Sequence, residues 1–298
     1  MDLYEEITKK ILSEMEKGII PWHKPWTCSN GAVSHQTGRP YSVLNQYLLA
    51  IGNECIENGE YVTFNQVKSE GGNVKKGEKG NMVVFWKILH KKIVNEDGTE
   101  EEKDIPYLRY YHVWEVSQCE GIKRKYEAGK RVIPNPLEEG EKIVNDYFDR
   151  ESCRLKVSET DKACYIPSRD KVCVPRIQQY DCANEYYSTL FHEMIHSTGH
   201  ESRLNRLTQT SFGSSEYSKE ELVAEIGSTF LCGTAGIETN HTLRNSVAYL
   251  QSWMRALKND KSLFVSAAGN AEKAANYVLQ GKCINACSLA FLDVPQVV

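Results

Sequence analysis

Leu3, Ile7 and Ile11 recur every fourth position among charged residues, and that spacing predicts an amphipathic helix over residues 2–17, stopped at Gly18. After an aromatic loop, PWHKPW, the stretch TGRPYSVLNQYLLAIGNECIENG reads as a turn at Gly38 and Pro40 followed by a helix. Its apolar stripe runs through Leu44, Tyr47, Leu48 and Ile51, and Asn58-Gly59 ends it. NMVVFWKIL and PYLRYYHVWEV, separated by a turn from Asn95 to Gly98, then predict a two-stranded hairpin with a charged tip. The segment KYEAGKRVIPNPLEEGE gathers proline, glycine and charge, which places a junction near residues 125–138. Beyond it come a helix near 139–150, short strands around LKVS, ACYIP and KVCVP, and then long helices. The expected class is α+β: a first domain, 1–130, with a hairpin-rich sheet, and a second, 131–298, mainly helical with a small sheet.

Composition narrows the function classes. The net charge of -4 excludes both a generally basic nucleic-acid coat and a polyanion imitating duplex DNA. Any nucleic-acid contact must use a local patch. The ten cysteines are scattered in aliphatic contexts without the short paired spacing of a zinc ribbon, so most read as buried thiols. The start, MDLYEEITKK, has no signal-peptide character, and no stretch approaches the roughly 18 apolar residues of a membrane span. The expectation is a cytoplasmic protein with no membrane partner.

The stretch YYSTLFHEMIHSTGH places His192 and His196 four residues apart with Glu193 between them. Four helical residues turn the chain by about 400° and advance it about 6 Å, so the two imidazoles stand one above the other and converge on one ion. Glu193, about 100° around, is placed to take a proton from water without being a ligand. This order, HExxH on a helix, is the zincin arrangement. The metzincin pattern needs a histidine two residues beyond Gly199, where this chain has Glu201.

A third ligand is therefore expected from KEELVAEIGSTFL, about 25 residues on. Glu221, Ala224, Glu225 and Ser228 share one face of that helix, and the small Ala224, Gly227 and Ser228 allow it to approach the HExxH helix closely. Glu221 is read as the third ligand and Glu225 as the acceptor of a ligating histidine's outer N–H, with Glu225 the competitor for the metal. Glu220 fits a solvated helix start behind an N-cap at Ser218. The expected cofactor is Zn2+, the expected reaction peptide hydrolysis with Glu193 as base. Tyr180, Tyr217 and His200 are candidates for an oxyanion donor.

These segments carry a resemblance. ACYIPSRDKVCVP, YYSTLFHEMIHSTGHESRLNR, EELVAEIGSTFL and SVAYLQSWMRALKND resemble the zincin-like metallopeptidase domain of ArdC-type antirestriction proteins. TGRPYSVLN, TFNQVKSEGGNVKKGEKGNMVVFWK and RYYHVWEV resemble the single-stranded-DNA-binding domain that precedes it there, so the likeness runs nearly the whole length. It implies a gluzincin-like site with His192 and His196 as ligands and Glu193 as the catalytic glutamate. It also implies an origin in a mobile genetic element and protection of incoming DNA from restriction. Family members pair a ligand with an acid or amide four residues on, here Glu221 and Glu225. A glutamate at the second place, where related zincins carry Asp or Asn, leaves both carboxylates in contention.

A strand-binding surface needs stacking faces and cations. Trp22, Lys24 and Trp26 form one cluster, Arg39 and Tyr41 another, and Lys75, Lys76 and Lys79 lie in the glycine-rich loop GGNVKKGEKG. Strand aromatics such as Tyr110 and Trp114 are expected to point into a core. The leading reading is a zinc metallopeptidase joined to a single-stranded-DNA-binding domain, its peptide substrate unspecified; the alternative is a DNA-binding protection factor in which zinc is structural and no peptide is cut.

Overall fold

The computed structural model describes residues 2–23, 31–52, 59–94, 100–126, 135–159, 162–207, 215–238 and 243–279. Helix α1 (Leu3–Glu16) opens on Asp2, whose carboxylate accepts a hydrogen bond from the Tyr4 backbone N–H at 3.1 Å. Its predicted stripe is buried, with Ile7 and Ile11 fully enclosed. A 3₁₀ turn at Pro21–His23 leads to β1 (Val33–Ser34), α2 (Val43–Gly52), β2 (Glu60–Thr63), α3 (Phe64–Ser69) and β3 (Asn73–Val74). The predicted hairpin is β4 (Asn81–Val94) against β5 (Glu100–Glu115), in register from Asn81 opposite Val113 to Val94 opposite Glu100. Among the described residues it forms a sheet in the order β1-β2-β5-β4, while β3 pairs with β6 (Cys119–Glu120).

Much of the predicted junction, 127–134, lies outside the described residues. Just before it the chain is pinned to the sheet. Buried Glu60 accepts from the backbone N–H groups of Lys125 and Tyr126, each at 3.0 Å, and also pairs with buried His35. Buried Glu115 pairs with Arg124. Carboxylates this deep are tolerated because each is hydrogen-bonded.

The second half begins with α4 (Pro136–Arg150) and a sheet of β7 (Arg154–Ser158), β8 (Cys164–Ile166) and β9 (Lys171–Pro175). Its order is β7-β9-β8, with β7 parallel and edge strand β8 antiparallel to β9. Among the described residues four helices follow: α5 (Ala183–Thr198), α6 (Ser215–Ala235), α7 (Leu243–Asn259) and α8 (Leu263–Leu279). The fold is mixed α+β as expected. Three of the six described cysteines are buried, but Cys164 on the edge strand is exposed, against the expectation of buried thiols.

One apolar core runs through both halves. Ile7, Ile11, Met15, Trp22 and Tyr47 join Trp253, Leu257, Phe264 and Ala268 in a single cluster. Trp22 sits at its centre, fully buried, with ring centroids 5.4 Å from Trp253 and 5.7 Å from Phe264.

Helix α6 is central, packed against α4, α5, α7 and α8, and its apolar residues accordingly surround it. Its approach to α5 is set by a glycine. A Cβ on Gly227 would lie 2.9, 3.0 and 3.1 Å from three side-chain carbons of Ile195, which is itself fully buried. In an exposed helix, replacing glycine gains up to about 1 kcal/mol from propensity. Here the clash outweighs it, and Gly227→Val is expected to lower stability by about 1–3 kcal/mol in denaturant unfolding.

The far end of α5 is held by polar contacts. Arg203, its side chain 1% exposed, donates to the Ser197 carbonyl at 2.8 Å and pairs doubly with Asp170 at the β8–β9 turn. Tyr147 of α4 donates to Ser197 Oγ at 2.7 Å, and Tyr165 to Asp170 at 2.8 Å. Burial opposes ionisation of Asp170, but Arg203 and Tyr165 more than offset it and hold the carboxyl well below its usual range. Asp170 has a φ of 42°, a left-handed conformation that asparagine also tolerates. Asp170→Asn should therefore keep the turn and lose the ion pair, at a cost of about 3 kcal/mol. Because the folded pKa is depressed, this difference is fully present above about pH 5 and shrinks as pH falls below about 4. Unfolding titrations of parent and variant across that range measure it.

Candidate metal centre

Helix α5 turns Leu190, Phe191, Met194 and Ile195 into the core, which leaves His192 and His196 together on its flank. Their Nε2 atoms are 3.1 Å apart. From α6, one oxygen of Glu221 lies 3.4 Å from His192 Nε2 and the other 3.5 Å from His196 Nε2. One donor atom from each residue falls within 4.8 Å of the others. Donors held 2.0–2.1 Å from a tetrahedral metal stand about 3.3 Å from one another, so the spacing fits one ion.

Behind the three donors stands a layer of charge. Glu220 Oε1 lies 3.3 Å from His196 Nδ1, and Glu225 Oε1 3.9 Å from His192 Nδ1. Arg206 clamps both oxygens of Glu220 at 2.8 Å and also donates to the Ile195 carbonyl at 2.8 Å. It reaches them because the chain folds back over the end of α5, where Arg206 and Leu207 N–H groups both donate to the Gly199 carbonyl at 2.9 Å. A Cβ on Gly199 would meet Leu207 at 2.8 Å, so the residue serves close approach, its φ of -78° being ordinary.

Glu220 is thus no solvated helix start, since its side chain is 16% exposed and doubly paired. Nor is Ser218 the N-cap, because α6 begins at Ser215. Neither Glu220's role nor Arg206's carries a sequence signal. The first looks like any acid in a first helical turn, and the second depends on a loop's return path.

The electrostatics suit a cation. Burial alone would strip the proton from His196, yet hydrogen bonds to Glu220 and Glu221 raise its pKa to about 10. His192 shifts upward too, burial being outweighed chiefly by Glu221. Glu221 is buried, but both histidines hold its carboxyl well below the usual range. Such a pocket favours positive charge, the setting in which a metal competes with protons for the same donors.

Glu193 is buried at 9% exposure beside the donors. Burial, reinforced by Tyr186 and Glu193, pushes the Tyr180 phenol up to about 12 despite Thr189 nearby. Its buried hydroxyl makes no hydrogen bond of normal geometry among the described residues. His200 turns instead to Ser202, with Nδ1 2.8 Å from its hydroxyl. The Tyr217 side chain lies outside the described residues.

The expected strand-binding residues do not form one surface. Trp22 offers no face to a base, because the core encloses it. Lys24 and Trp26 lie outside the described residues. Tyr41 packs on a small cluster, 6.2 Å edge-on from Tyr61, and Arg39 is half-buried on the preceding turn. Lys75, Lys76 and Lys79 are exposed, Lys75 donating to the Ser117 carbonyl at 2.8 Å. Tyr110, expected in a core, is 44% exposed.

Known proteins resemble both halves of the chain. A family described as the N-terminal domain of anti-restriction factor ArdC matches residues 1–114, and one described as zincin-like metallopeptidase matches residues 142–270. Two Escherichia coli proteins named DNA primase TraC are each 30% identical across 93% of this chain, which spans only 20% and 27% of their lengths. Protein y4eC of Sinorhizobium fredii is 27% identical, with 93% of this chain and 91% of that protein covered. The crystal structure of the metal-free antirestriction ArdC protein from plasmid R388 is 33% identical and superimposes with a TM-score of 0.71, covering 94% of this chain and 97% of that one. Its Mn(II)-bound form gives 0.73, covering 97% and 100%. With a divalent-metal donor set on a zincin-like fold, and this likeness along its whole length, the chain belongs to the ArdC family of antirestriction proteins.

Proposed function

We propose that this chain is a zinc-dependent metallopeptidase joined to a single-stranded-DNA-binding region, which protects incoming mobile DNA inside the recipient cell. Residues 1–130 would carry the strand and 131–298 the hydrolytic site. The observation that carries the reading is the convergence of His192, His196 and Glu221 with Glu193 buried beside them. A site that only braced the fold would close four ligands around its metal, whereas the three that converge among the described residues leave a position open.

His192, His196 and Glu221 would hold the ion, and bound zinc would supply Lewis acidity toward water and a peptide carbonyl. Glu220 and Glu225 orient the two imidazoles from behind, and Arg206 fixes Glu220. Glu193 takes the proton of the attacking water and passes it to the departing amine. Tyr180, its buried hydroxyl within reach of the Glu193 charge, is the donor available to the developing oxyanion. The substrate lies along β8, an edge strand packed against α5, whose open side accepts an extended peptide as an added strand. Cys164 on that strand is close enough to Glu193 to feel its charge.

Competition with a zinc-binding dye tests the ligands. Glu221→Gln is expected to abolish stoichiometric zinc binding, while Glu220→Gln and Glu225→Gln weaken it about 10- to 100-fold. Loss of zinc in Glu225→Gln with retention in Glu221→Gln would exchange the two roles. Glu193→Gln should keep its zinc yet lose about 10²–10⁴-fold in peptide cleavage. If that variant protects transferred DNA from restriction as well as the parent does, proteolysis is not how the protein works.

A further inference from the structure

A groove of about 690 Å³ opens in the first half, away from the metal centre. Its walls are α1, the loop Gly77–Gly80 and the β4–β5 sheet, which bring Lys10, Lys79, Asn81, Tyr110 and His112 to one place. Tyr110 and His112 stand two residues apart on β5, so both project from the same face, and both are exposed. Their rings meet edge-on at 5.6 Å. Neither Lys10 nor Lys79 has an ion-pair partner among the described residues.

Asn81 is the telling residue. It is 6% exposed, lines the groove, and its amide Nδ2 has no hydrogen-bond partner among the described residues. An unsatisfied buried donor is costly to the fold, and a ligand acceptor would remove that cost. Charge helps to identify the ligand. Glu6 and Glu78 also line the groove, so its two lysines are balanced and a bare anion gains little; Glu78 is held by Gln118 at 2.7 Å.

We propose that this groove binds a nucleotide of single-stranded DNA: its base stacked on Tyr110 and His112, an acceptor on the base edge bound by Asn81, and the flanking phosphates met by Lys10 and Lys79. This rests on the strand-binding reading above and moves its centre from the Trp22 cluster to the β5 face. Stacking with few phosphate contacts also sets the salt response. Two neutralised phosphates on a single strand give a slope of about -1.4 in log K against log salt.

The test is a titration of the full-length protein with a fluorescent oligothymidylate of about 15 nucleotides, and with the same strand carrying abasic sites. Tyr110→Ala is expected to weaken binding to the intact strand about 5- to 150-fold and to change abasic binding little, while Tyr110→Phe stays within about twofold of the parent. Asn81→Leu should weaken the intact strand by up to about tenfold. The Lys10→Ala, Lys79→Ala double variant should flatten the salt slope. Tyr110 is exposed, and unchanged melting confirms that its variants fold. If the parent binds both strands equally, or binds the intact one while the groove variants match it, the groove assignment fails and strand binding stands elsewhere. If the parent binds neither strand, the strand-binding reading falls with it.

Discussion

The candidate metal centre depends on how closely two helices approach. His192 and His196 come from α5 and Glu221 from α6, so their donors meet only if the α5–α6 distance is right to a fraction of an ångström. Gly227 supplies that distance, and Ile195 fills the space that a larger residue would need. The same Ile195 offers its carbonyl to Arg206, the residue that locks Glu220 behind His196. Packing and electrostatics thus share one contact. A shift of α6 would move Glu221 and the neighbouring Glu220 and Glu225 together.

The two halves of the chain are joined through their cores. Trp22, between α1 and α2 in sequence, is enclosed by Trp253 and Phe264 from the last helices. Two independently folding domains would each enclose their own large aromatics. This arrangement instead ties the first half of the chain to the helices surrounding α6 through one shared core.

Aromatic residues in the first half show how composition misleads about surfaces. Trp22 sits in a loop-like, basic stretch that reads as a stacking platform, yet it is fully buried. Tyr110 lies in an aromatic-rich strand whose alternation reads as core, yet it is exposed. Burial of a strand residue depends on what covers its face. Helix α2 lies over Val84, directly opposite Tyr110 on the hairpin, with Asn45 bonding both backbone polar groups of Val84. The groove begins where that cover stops.

By itself the sequence determined much of the local structure and the candidate donors: the helical stripe of Ile7 and Ile11, the hairpin, the HExxH helix, and a second helix whose small residues and acids share a face. These are legible because they follow local periods of 3.6 and 2 residues. Tertiary structure alone decided which atoms meet. It placed Glu221 across both imidazoles, turned Glu220 from an ordinary helix-start acid into the partner of His196, and brought Arg206 back over Gly199. It also buried Trp22 and left Tyr110 open. None of these follows from local spacing, because each depends on the distance and path between segments far apart in the chain, set by core packing.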